Sequence, residues 1–124
     1  MADGISTTLA NSMLTTLTGG TFSSYVALHI GDPGTAGTGS ASSVTTRENV
    51  TWAAASGGSV NSSNQPVWSA WAGTSPEVDT DISFWTGLTL GVFCMSMQLS
   101  APVTMNTGDS LTLTAISVSI PTAS

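Results

Sequence analysis

At 124 residues the chain has the length of one domain, with 40% hydrophobic but only 6% charged residues and a formal net charge of −6. Globular chains ordinarily carry about a quarter charged residues; here Ser and Thr, about a third of the chain, fill the polar role instead. Arg47 is the single Lys or Arg, which excludes nucleic acid as a partner, since displacing the counterions of a phosphate backbone takes several cations.

Apolar content this high also argues against a chain that stays unfolded. A surface so poor in charge is weakly protected against association, so it is either covered by neighbours or itself adhesive, and the chain reads as a folded piece of an assembly. The opening Met1-Ala2-Asp3-Gly4 has neither a charged n-region nor an apolar run, so no signal peptide is expected. No apolar run is long enough for a membrane span, and synthesis in a cytoplasm follows.

Ile5, Leu9, Met13 and Leu17 recur every four residues, with Leu14 beside them, and predict one short helix within residues 1–20. Asp3 suits its N-cap and Gly19-Gly20 its stop. Thr7, Thr8, Ser12 and Thr15 on the other face are weak helix formers. Ile5, Leu9 and Leu17 are therefore expected to bury against a sheet or another subunit.

Residues 21–124 read as strands. Tyr25 to Ile30 alternates, placing Val26, Leu28 and Ile30 toward a core and His29 away from it. Gly31-Asp32-Pro33-Gly34 ends that strand in a turn, and Thr35 to Ser43 reads as an exposed, mobile loop. Val44 to Ala54 is expected as a strand, Ser56-Gly57-Gly58 as a turn into Val60, and Pro66 to Trp71 as a short edge strand. Ile82, Phe84 and Trp85 precede a turn at Gly87. Leu90 to Leu99 is the longest apolar strand, Pro102 to Met105 a short one, and Asn106 to Asp109 a turn. In the last strand Leu111, Leu113 and Ala115 share one phase, and Ile116, Val118 and Ile120 share the other. A period of two cannot change phase without an extra residue, so a bulge or bend is predicted near Ala115. Short strands with turns about every ten residues mark a single all-β domain, an antiparallel β-sandwich or jelly-roll-like fold with one short N-terminal α-helix.

No constellation of residues supports catalysis. His29 is the sole imidazole and is expected to be structural or on the surface. Cys94, the only cysteine, lies in an apolar run and reads as a buried inert thiol, so no intrachain disulfide can form. Glu77, Asp79 and Asp81 could share a side of an extended segment, but they lack the spacing of a calcium loop and read as a solvated acidic loop. The glycines from Gly34 to Gly39 precede neither a helix nor a Lys and are no phosphate loop. The sequons at Asn49 and Asn61 are chance matches in a Ser/Thr-rich chain. No cofactor and no metal is expected. Trp85 reads as core beside Phe84 and Ile82. Trp68 and Trp71, three apart, should face opposite sides of a strand, so that one is exposed as a contact residue or a platform for sugar.

The order of pieces resembles a family of small virion proteins of phages infecting actinobacteria, of the minor tail or tail-fibre type. The residues that carry the resemblance are Ala2 to Asn11, Tyr25 to Gly34, Val44-Thr45-Thr46-Arg47 leading to Val50-Thr51-Trp52, Ala55 to Gly58, and Asn106 to Leu113. The pattern departs after Trp85, where Thr86-Gly87 stands in place of an Asp-Ala turn. The resemblance implies a virion component, assembled in the host cytoplasm with other virion proteins of tail or capsid, a homo-oligomer, and no enzymatic activity. A capsid decoration protein would share this size and fold, and a host-surface glycan is a further candidate partner.

Overall fold

The computed structural model describes residues 4–122. Thr7–Thr18 form helix α1, capped by Ser6, whose Oγ accepts the Leu9 N–H at 3.1 Å. Asp3, the expected cap, lies outside the described residues. The hydroxyls of Thr15, Thr16 and Thr18 bond back to carbonyls four residues earlier, which satisfies them on a helix of otherwise weak formers. Ala10 and Leu14 are the buried positions. A four-residue repeat drifts around a helix of 3.6 residues per turn, so Leu9 and Met13 come to face outward while Ile5 and Leu17 are half-buried. α1 lies against the strand Ser59–Asn61, where Asn11 Oδ1 accepts the Gly58 N–H at 2.9 Å.

The strands are β1 Tyr25–His29, β2 Glu48–Asn49, β3 Ser59–Asn61, β4 Val67–Trp68, β5 Glu77–Trp85, β6 Phe93–Met105, β7 Leu111–Thr112 and β8 Ser117–Ser119. All their ladders are antiparallel. The chain is thus all-β with one short helix, as its pattern predicts. Hydrogen bonds divide the described strands into a sheet ordered β2-β1-β5-β6 and two ladders, β3-β8 and β4-β7. Val26, Leu28, Ile82, Phe84 and Met105 from the sheet meet Trp68, Trp71, Leu111, Leu113 and Ile116 in one core.

The predicted break near Ala115 is present. Leu111 and Leu113 are buried, Thr114 and Ala115 are both exposed, and Ile116 is buried again. Across this step the chain leaves β4 and joins β3. The strand expected from Val44 to Ala54 is corrected: only Glu48–Asn49 joins the sheet, and Trp52 makes a single bridge to Ser62. The Asn64 amide stands in for a neighbouring strand, donating to Asn49 O and accepting from Thr51 N–H, both at 2.9 Å. Leu90 and Val92, expected in a strand, belong to the turn before β6, and Pro102 to Met105 continues β6. Between Asp79 and Asp81 the partners in β6 jump from Val103 to Gln98. The surplus residues form a bulge that accommodates Pro102, which has no N–H to donate, on an edge strand.

Ile30 was expected in the core and is exposed instead, because β1 ends at His29 and the chain turns at Gly31. The loop after it is stitched to β1 along its far side: Ile30 N–H donates to Ser40 O at 2.8 Å and Ser42 N–H to Leu28 O at 3.1 Å. Gly37, with φ of 74°, lies against the Phe93 ring. The loop is exposed, as its composition predicts, apart from Gly37 and Ser42, which are buried, and these bonds tie it to β1.

Candidate functional site

The same loop covers His29, which is buried on the face of β1 opposite Leu28 and not exposed. Its Nδ1 lies 2.8 Å from Gly39 O and its Nε2 2.7 Å from Ser83 Oγ. A carbonyl can only accept, so Nδ1 carries the proton and Ser83 donates to Nε2. Ser83 Oγ in turn accepts the Trp85 indole N–H at 2.8 Å. A Ser–His pair at this distance has the geometry of a nucleophile with its base, but Ser83 is fully buried beneath Trp85, out of reach of any substrate. All its bonds are internal, and it ties loop to sheet.

The tryptophan expectation is also corrected. Trp68 and Trp71 are both buried, with Trp71 2% exposed. β4 ends at Trp68, and Ala70 takes a left-handed φ of 53°. This reverses the side on which Trp71 emerges, so strand alternation does not reach it. Their indole N–H groups donate to Thr46 O and Thr74 O, and that of Trp52 to Ser23 O. Every indole is thereby anchored inside the chain, and Trp68 and Trp71 offer no face to a sugar.

Glu77 and Asp79 lie in β5 and are buried, not in a solvated loop. Among the described residues, no three of His, Cys, Asp and Glu come together as a metal centre would need. Cys94 is half-buried rather than buried, at a one-residue register shift in β6. Its sulfur accepts the Ser23 N–H at 3.4 Å.

What the surface does offer is aliphatic. In the turn between β5 and β6, Leu88, Leu90 and Val92 stand out, Leu90 at 82% exposure. Arg47 fixes this turn from below, donating through Nη1 to Gly87 O at 2.8 Å and to Leu90 O at 2.9 Å. Its guanidinium also lies 4.1 Å from the centre of the Trp85 ring. Thr86 Oγ1 accepts the Val92 N–H at 2.8 Å and closes the base of the turn. The chain's single guanidinium thus serves to hold apolar side chains outward in one shape. A second apolar area joins Leu9 and Met13 of α1 to Phe22, beside a hollow of about 330 Å³ that Leu17, Phe93 and Cys94 also line. Sequence reading placed a turn at Gly87 but began the next strand at Leu90, because Leu90 and Val92 continue the apolar run of β6. The signal available was a second glycine, Gly91, between Leu90 and Val92, which takes a φ of 105°.

Compared with known proteins, residues 4–121 match the family described as podophage GP4 fiber I protein gp80. No curated protein matches the chain. The match covers nearly the whole chain, which therefore belongs to this family of phage fibre proteins. The match bears out the phage fibre type of the resemblance drawn from the sequence and says nothing of the host.

Proposed function

We propose that the chain is a non-enzymatic, tail-associated structural protein of the phage particle, attached to other virion proteins through the apolar turn Leu88–Val92. The observation that carries this reading is the family match, which places the chain among fibre proteins. The turn supplies the physical means. Three aliphatic side chains exposed on one turn braced from within are costly to leave in water and cheap to bury, because little freedom is lost on contact. A charge-poor Ser/Thr surface around them adds little desolvation cost.

Leu9, with Met13 and Phe22, serves as a second contact, between copies of the chain, and Ile5 and Leu17 flank it. Imaging intact particles that carry labelled chain tests the assignment. A few copies at the tail are expected. Many copies spread over the shell would make the chain a decoration protein. Binding to host-envelope polysaccharide by the isolated chain, with no attachment to particles, would favour a glycan module.

A further inference from the structure

Glu77 and Asp79 point from one side of β5 toward the core, paired with Met105 and Val103 across the sheet. Three donors converge on the Glu77 carboxylate: Ser42 Oγ–H and Ser43 Oγ–H, each at 2.5 Å, and Ser43 N–H at 3.1 Å. Asp79 is 0% exposed, and no donor among the described residues reaches either of its oxygens. Two adjacent buried carboxylates cannot both be ionised without a counter-charge. Among the described residues no cation is at hand. Arg47 is committed to the Gly87 and Leu90 carbonyls, and His29 to Gly39 and Ser83 on the other side of the sheet. β6 carries no Lys, Arg or His. Of the remaining acids near this strand, Asp81 accepts from Thr80 Oγ1 and Asp109 from Asn106 N–H.

We propose that Asp79 is a protonated acid that donates its proton to Glu77, and that this shared proton is a pH-sensitive latch holding the Ser42–Val44 segment onto β5. Ser43 Oγ also accepts the Thr74 N–H at 2.8 Å, and Ser42 Oγ the Val44 N–H at 3.1 Å. The latch therefore joins Ser42–Val44 to the stretch from Thr74 to Asp79, some thirty residues further along the chain. Burial first, and then the Glu77 charge, push the Asp79 carboxyl up to about 7. Burial also pushes Glu77 up, but the bonds from Ser42, Ser43 and Asp79 outweigh it and hold Glu77 below its ordinary value. For Asp79 the folded chain holds a proton that the unfolded chain has already released. Stability accordingly falls as pH rises from about 4 to about 7 and levels off above.

The test is thermal melting of the full chain and of Asp79→Asn between pH 4 and pH 9. Asn keeps a donor toward Glu77 without the charge. The wild type is expected to lose melting temperature up to about pH 7, whereas Asp79→Asn holds a flatter profile and melts higher at pH 8. Carboxyl NMR of the wild type gives an independent readout should the variant fail to fold: the Asp79 resonance titrates near neutrality, and the Ser43 amide shifts with it. An Asp79 resonance ionised at pH 5 overturns the proposal. So does stabilisation by calcium at pH 8 in the wild type but not in Asp79→Asn, which would make the pair a cation site.

Discussion

Trp68–Trp71 and Gly87–Val92 are both short apolar stretches outside long strands, and they do opposite things. The first turns every large side chain inward through one left-handed residue, Ala70, and anchors each indole N–H on a backbone carbonyl. The second turns Leu88, Leu90 and Val92 outward and has its carbonyls anchored by Arg47. Apolar composition alone does not tell core from contact surface. What separates them is which groups the backbone polar atoms are tied to, and on which side.

The largest way to break this contrast is Trp71→Ala, which should cost about 3–5 kcal/mol in chemical denaturation, because it empties a buried aromatic site and frees the Thr74 carbonyl. Gly37→Ala comes next. A Cβ there would run into the Phe93 ring at the foot of the turn, on backbone that already needs positive φ. A loss of about 1–3 kcal/mol is expected from equilibrium unfolding. Arg47→Met keeps the aliphatic stem but drops two hydrogen bonds and the contact with Trp85. It should cost about 1–2 kcal/mol, with faster amide exchange confined to residues 86–92. Leu90→Ser sharpens the contrast from the other side: its stability should stay within about 0.5 kcal/mol of wild type in the same unfolding assay.

Much of the fold was legible in the sequence where alternation governs. The phase change at Ala115 is an example, since each half of that strand has its own buried face. The helix was legible as an element, but its buried face was not. A stripe drawn at every fourth residue winds off the line that Ala10 and Leu14 take against β3. Trp71 was misplaced because nothing in Ser69-Ala70 announces a left-handed residue; Ala rarely adopts it, and only the surrounding packing imposes it. Glu77 and Asp79 look like a solvated loop because burial of a carboxylate depends on Ser42 and Ser43, more than thirty residues away. A turn at Gly87 was legible, but its reach to Val92 was hidden for a related reason. Its apolar residues adjoin β6, and the brace that sets them apart is Arg47, forty positions earlier in the chain.

The most direct test of attachment through the turn is incorporation of Leu88→Ser/Leu90→Ser chain into particles, in competition with wild-type chain and quantified by mass spectrometry of purified virions. The expected result is a variant that folds and melts like wild type but is depleted from particles at least tenfold, about 1.4 kcal/mol of lost contact energy. Incorporation equal to wild type would contradict the account and move the attachment surface elsewhere on the chain.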